Sequence, residues 1–258
     1  MDRESLQDGP RPVVRIGDTV HRPVQPWTPA VHALLRHLEA VGFPYSPRVL
    51  GFDGEGREVL TFIDGESGPA VWAKIVSDDG LAAFARLLRA YHDACAGFVP
   101  PAGTEWCTGV GAPAAGQIVC HGDFAPWNTV WDGDRPVGIL DWDFARPAAR
   151  IHDVAYALEY VAPFRDDKEC VRWLRYPEPP DRRRRLELFC DVYGLGRADR
   201  PASGMVDAVI AAQLDTAALV RQLACRGLEP QATWVAEGHL AVLAGRVEWS
   251  RAHRSLFR

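Results

Sequence analysis

Short runs of alternating apolar and polar residues open the chain. Residues 13–16 and 19–20 flank the turn Gly17-Asp18, a pattern that predicts a β-hairpin. Prolines at 23, 26 and 29 end it. Thr28 ahead of Pro29 predicts a helix start, a capping hydroxyl followed by a proline at the first helical position. Val31, Leu34, Leu35 and Leu38 then recur at helical spacing as far as Gly42. Residues 48–52 and 58–63 read as strands around Asp53-Gly54-Glu55-Gly56. The first 63 residues therefore predict strand, strand, helix, strand, strand, a small α+β unit of antiparallel pairs.

The polar stretch Asp64-Gly65-Glu66-Ser67-Gly68-Pro69 reads as a linker that divides 1–64 from 65–258. Beyond it the spacing turns helical. Leu81, Phe84, Leu87, Leu88 and Tyr91 form one stripe of a helix over 81–96. A Pro- and Gly-rich loop over 99–116 leads to the apolar run Gln117–Cys120. Helical patterns dominate after 152, over 153–161, 181–193, 203–226 and 230–255, with no internal repeat. The run Asp181-Arg182-Arg183-Arg184-Arg185 reads as a solvated helix face.

Composition narrows the function classes. A chain of 258 residues with 47% apolar and 24% charged content can bury a large core. Its formal net charge of −5 argues against a general nucleic-acid binder. Lys74 and Lys168 are the only lysines, so phosphate contacts fall mostly to arginine. Cys95, Cys107, Cys120, Cys170, Cys190 and Cys225 lack zinc-ligand and redox spacing and read as reduced packing residues. No signal peptide and no run of 18 apolar residues is visible, so a cytoplasmic protein without a membrane span is expected.

The chemistry concentrates in His121-Gly122-Asp123-Phe124-Ala125-Pro126-Trp127-Asn128 and the residues up to Asp143. Two apolar strands flank the turn Asp132-Gly133-Asp134-Arg135 and lead to Asp141-Trp142-Asp143. A hairpin folded there brings Asn128 and Asp141 to the same end, with Asp123 in a tight loop beside them. One carboxamide and two carboxylates suit Mg²⁺, a hard cation held by oxygen. Asn128 and Asp141 can hold the metal, which leaves Asp123 to accept a proton from a hydroxyl nucleophile. His121 joins this catalytic loop as a brace. Asp143 would share a face with Asp141 and reads either as a further metal ligand or as a residue orienting the loop.

His121-Gly122-Asp123, Asn128 and the later Asp141 resemble the catalytic and metal-binding segments of the aminoglycoside phosphotransferase (kinase-like) family. The wording of Asp123–Asn128, Asp141–Pro147 and the stretch from Asp153 is similar to a subgroup labelled trifolitoxin-immunity-like. The resemblance implies an α+β, bilobal protein-kinase-like fold. Residues 1–64 would form an antiparallel-sheet lobe with one helix that binds nucleotide, and 65–258 a larger, mainly helical lobe. It also implies an ATP- or GTP-dependent, Mg²⁺-requiring transfer to a small hydroxyl-bearing substrate, antibiotics included, in a monomer or homodimer. Arg22 takes the place of the strand lysine that contacts phosphates, and adenine would lie against Thr61, Phe62 and Ile63 of the hinge. An Asp near position 153 would support the active-site loop.

Two departures stand out. The segment Leu6-Gln7-Asp8-Gly9-Pro10-Arg11-Pro12, where the family has a phosphate-covering loop, is short and its prolines remove amide donors. Val31 or His32 stands where the helix glutamate of the pattern would be. These departures favour an alternative, an immunity or sequestration protein with little turnover. A metal-dependent hydrolase is a third reading, but the clusters that usually hold its metals are absent. Glu159, Asp166, Asp167 and Glu169 are candidates for an acidic cleft that would suit a cationic substrate, and equally read as ordinary solvated acids.

Overall fold

The computed structural model describes residues 3–258. Strands β1 (Arg3–Gln7), β2 (Val13–Ile16) and β3 (Thr19–Arg22) precede helix α1 (Thr28–Ala40), and β4 (Val49–Phe52) and β5 (Glu58–Thr61) come after it. The five strands form one antiparallel sheet in the order β1-β2-β3-β5-β4. β1 is absent from the hydrophobic pattern because it buries nothing. Its five residues are exposed, and pairing with β2 alone makes it a strand.

α1 buries Val31, Leu34, Leu35 and Leu38, the stripe its spacing predicts. Its start differs by one residue. Thr28 lies inside the helix and its hydroxyl accepts from the Gln25 amide at 2.8 Å, so Trp27 occupies the cap position. Gly42, with φ +76°, ends the helix, and the Phe43 amide bonds back to the Leu38 carbonyl at 2.9 Å.

Helix α2 (Asp78–Ala94) is capped by the Ser77 hydroxyl, which accepts from the Gly80 amide at 3.1 Å. The 99–116 loop carries a two-residue ladder, β6 (Glu105–Trp106) with β7 (Gly109–Val110). Then come β8 (Gln117–Cys120), β9 (Thr129–Asp132), β10 (Arg135–Ile139) and β11 (Arg146–Ala149). β9 pairs with β10, and β11 returns to pair with β8. The remainder is helical: α3 (Ile151–Val161), α4 (Asp167–Trp173), α5 (Arg182–Tyr193), α6 (Met205–Cys225), α7 (Gln231–Ala236) and α8 (His239–Ala252). The helix predicted over 230–255 is two helices, because Gly238 turns left-handed at φ +87°.

One hydrophobic core runs from Leu34 and Leu38 of α1 through Phe84 and Tyr91 of α2 to Leu158 of α3 and Phe189 of α5. The four-arginine run departs from its solvated reading. Arg182 and Arg185 are 4% and 5% exposed and reach backbone carbonyls, Arg185 those of Val161, Val76 and Ile75 at 2.6–2.7 Å. Five cysteines are buried free thiols and Cys225 is exposed. α6 is long and apolar enough to cross a membrane by length and composition alone, and it packs against α3, α7 and α8.

Candidate active site

β8 delivers His121 and β11 holds that strand in place. Gly122 makes the turn between them and Asp123. Its φ is +79°, and a Cβ there would lie 2.1 Å from the Phe144 carbonyl oxygen, so only glycine fits. Asp153, in the first turn of α3 and fully buried, takes the amides of His121 at 2.7 Å and Gly122 at 2.8 Å. His92 of α2 binds the same carboxylate at 3.0 Å and is itself held by the Tyr193 hydroxyl at 2.6 Å. Burial works against the Asp153 charge, but the His92 hydrogen bond and neighbouring histidines hold its carboxyl well below the usual range. His92, Cys120 and Asp153 are close enough to share a metal. The hydrogen bonds already account for the histidine and the carboxylate.

His121 is fully buried. Its Nε2 donates to the Leu140 carbonyl at 2.9 Å and its Nδ1 accepts from the Asp123 amide at 3.3 Å. Both ring nitrogens are thus used to tie the loop to the end of β10. Burial lowers its pKa, which favours the neutral ring this pattern needs.

Asp123 is 9% exposed. One carboxylate oxygen accepts from Asn128 Nδ2 at 2.8 Å and the other from the Tyr156 hydroxyl, a short contact. Burial, then the Asp141 charge, pushes its pKa up to about 7, with Tyr156 and Asn128 opposing. Asn128 also bonds the Asp123 carbonyl at 2.9 Å, and its own carbonyl accepts from the Leu140 amide at 2.8 Å across the hairpin. The hairpin thus sets Asn128 opposite Leu140, next to Asp141. Asp141 has a left-handed backbone, φ +56°, and a side chain 45% exposed. Desolvation and Asp143 raise its pKa, and Arg22 and Arg11 offset part of that.

Arg22 lies at the centre of the charge network. Its Nε is 2.6 Å from Glu58, its Nη1 is 3.5 Å from Asp141, and its Nη2 meets Asp143. Arg11 reaches the other oxygen of Asp143 at 2.6 Å from the β1–β2 turn. Burial works against the Asp143 charge, but the two guanidiniums outweigh it and hold its pKa down. The carboxylate that secures the strand cation comes from β5 rather than from a helix. Glu58 stands opposite Arg22 in the β3–β5 ladder, and His32 of α1 binds its second oxygen at 2.9 Å. His32 therefore occupies the place where the helix glutamate was missing and reaches the cation through Glu58.

At the hinge, the Thr61 amide bonds the Arg48 carbonyl at 3.0 Å and the Phe62 amide the Asp18 carbonyl at 2.8 Å. The Phe62 ring lies under Arg15, 3.7 Å from its guanidinium carbon. Ile63 packs against Gly138, where a Cβ would lie 2.9 Å from its side chain. The acids read for a cationic cleft do not cluster. Asp166 caps α4, Asp167 pairs with Arg182 at 2.8 Å, and buried Glu159 faces Arg246 at 3.8 Å.

Sequence reading missed Arg11, Glu58 and Tyr156. Tyr156 lies one helical turn beyond Asp153, so its stripe on α3 was a usable signal. Arg11 and Glu58 depend on which strands pair, which local pattern does not reveal.

A model of the phosphotransferase enzyme family (APH) matches residues 106–188, which include the loop and the hairpin. The trifolitoxin immunity protein of Rhizobium leguminosarum bv. trifolii is 38% identical over 203 residues, 77% of this chain and 75% of that protein. A choline/ethanolamine kinase family protein from Mesorhizobium loti superposes with TM-score 0.61 at 20% identity, covering 100% of this chain and 92% of that one. The gentamicin complex of APH(2")-IIa superposes with TM-score 0.56 at 13% identity, covering 99% and 93%. The antiparallel sheet, the helical remainder and these relatives agree, and the chain belongs to the phosphotransferase enzyme family of aminoglycoside phosphotransferase type, alongside the trifolitoxin immunity protein.

Proposed function

We propose that the chain is a Mg²⁺-dependent phosphotransferase that moves the γ-phosphoryl group of ATP or GTP to the hydroxyl of a small molecule. One observation carries the reading: the nearly buried Asp123 carboxylate is aimed by Asn128 and Tyr156, at the hairpin end that also presents Asp141. In this reading Asp123 accepts the proton of the incoming hydroxyl as it attacks in line. Asn128 directs its amino group to Asp123, which leaves its side-chain oxygen for a cation, and Asp141 adds a half-exposed carboxylate. This hard-oxygen donor set fits Mg²⁺. When bound, the ion would neutralise charge on the phosphoryl oxygens.

Both Asp143 oxygens are taken by guanidinium groups, so we assign Asp143 to orienting Arg11 and Arg22 rather than to the metal. Arg22 contacts phosphate from β3. Arg11 stands in for the amide donors that Pro10 and Pro12 remove. With the Thr61 and Phe62 amides already bonded, adenine recognition falls to the backbone at Ile63. Residues 1–64 form the nucleotide lobe and 65–258 the catalytic lobe of a cytoplasmic protein.

Mg²⁺-dependent nucleotide consumption over a panel of hydroxylated antibiotics and metabolites tests this, with wild type and Asp123→Asn. Turnover is expected in the wild type, with a loss of about 10²–10⁴-fold in the variant. A wild type that binds a compound tightly and never yields phosphorylated product supports the sequestration reading, which the kinship with an immunity protein favours.

A further inference from the structure

Beside Asp123 lies a group of polar side chains of which the transfer chemistry uses only Tyr156. On α3, Tyr156, Glu159 and Tyr160 succeed one another along the face that reaches Asp123 through the Tyr156 hydroxyl. Arg165 comes from the α3–α4 link, Gln213 from α6 and Arg246 from α8. The Arg165 guanidinium carbon sits 5.1 Å from the centre of the Tyr160 ring.

The charges here are not those of a cation site. Glu159 is the buried acid of the group, 2% exposed, with Arg246 at 3.8 Å and Arg165 also acting on it. At the end of the group away from Asp123, one buried carboxylate thus stands with Arg246 beside it and Arg165 near it.

The hydrogen bonding is incomplete in one direction. Arg165 Nε and Nη2 are buried without a partner, and the amide atoms of Gln213, a residue 2% exposed, make no well-aligned hydrogen bond, the Glu159 carboxylate being the one acceptor near them. Buried polar groups are nearly always paired, because an unpaired one loses its hydration for nothing. Three of these four atoms are N–H donors, and what such donors lack is acceptor oxygen. A carboxylate offers up to four acceptor sites and matches the planar fork of arginine.

We propose that the acceptor substrate of this site is a hydroxyl compound carrying a carboxylate, its hydroxyl presented to Asp123 and its carboxylate to Arg165, Gln213 and Arg246. This rests on the phosphotransferase reading and names the substrate class for it. Polycationic aminoglycosides are then poor acceptors, and the unpaired donors are retained for binding at a cost in stability.

The test uses matched probes that differ by a carboxylate: ethanolamine and L-serine, glycerol and D-glycerate, D-glucose and D-glucuronate, with kanamycin as the polycation. Binding is monitored by intrinsic fluorescence, because Trp127 lies 4.6 Å from Tyr160 and Trp72 lies 6.3 Å from it, ring centre to ring centre. The wild type should bind the carboxylated member of at least one pair about tenfold or more tightly. Arg165→Met and Gln213→Met should abolish that preference and, without ligand, raise the Tm by about 2–4 °C each. A wild type with no preference for any carboxylated probe overturns the inference, and so do variants that keep the preference. A Tm that stays level or falls in the variants overturns it too, since it makes the two residues structural. Formation of phosphorylated product from MgATP, measured separately, decides the kinase reading by itself.

Discussion

Replacing Asp153 with Asn is the sharpest probe of how the active-site loop is held. The substitution keeps the shape and removes the charge. Asp153 accepts three hydrogen bonds with no exposure to solvent: the His121 amide and His92 on one oxygen, the Gly122 amide on the other. An Asn side chain can turn its oxygen to only one of those two sides. Its amino group must then face an N–H donor, and an orphaned buried amide costs about 1–3 kcal/mol. The two bonds that survive become neutral, for a further loss of about 1 kcal/mol each. The sum is about 3–5 kcal/mol, a fall in Tm of about 6–20 °C for a domain of this size. The assay is urea denaturation read by far-UV circular dichroism, with wild type in parallel. A small shift in the position of Asp123 should also lower kcat by about 10²-fold in molecules that stay folded. A stability loss under about 1 kcal/mol would refute the argument, because it would mean that the loop does not depend on this carboxylate.

The same geometry sets further outcomes. The Asp123 carboxyl, titrating at about 7, should make kcat/KM rise through that pH, which a pH–rate profile checks. The sign for stability is opposite. The folded state binds the Asp123 proton more tightly than the unfolded chain, whose carboxyl titrates near 3.8, so this group makes stability fall as pH rises from about 4 to about 7. Calorimetry of Asp123→Asn against wild type across that window should therefore show the variant gaining relative stability. Gly122→Ala sets a Cβ 2.1 Å from the Phe144 carbonyl oxygen in a left-handed backbone. It should cost about 2 kcal/mol or more and most of the activity, and wild-type stability would contradict this. Arg185→Met orphans the carbonyls of Ile75, Val76 and Val161, for an expected loss of about 2–4 kcal/mol in denaturant titrations. Arg184→Met, on the exposed face beside Asp78, should leave the denaturation midpoint unchanged.

Local pattern determined a good deal about this protein. The 3.6-residue spacing of α1 and α2, the turns at Gly17-Asp18 and Asp53–Gly56, and the hairpin after Asn128 all stand where short-range propensities set them. That hairpin is why Asp123, Asn128 and Asp141 could be brought together from sequence: adjacent antiparallel strands have a register that the turn dictates. Family membership was legible for the same reason, since the loop and hairpin are contiguous.

What only the tertiary structure decided involves pairings distant in sequence. β1 is a strand solely because β2 offers it an edge, and its polar residues carry no sign of that. Arg11 meets Asp143 across 132 residues, and Glu58 replaces the helix carboxylate because β5 runs beside β3. The two buried arginines of the 182–185 run read as surface, since a guanidinium becomes an interior group only when folding supplies carbonyls to receive it. The split of the last predicted helix at Gly238 is likewise a conformational choice that the apolar spacing on either side does not report. Periodicity in the sequence records which face of an element is buried. The partners of a buried charge are chosen by the packing of the whole chain, and in this protein they set the charge state of the candidate site.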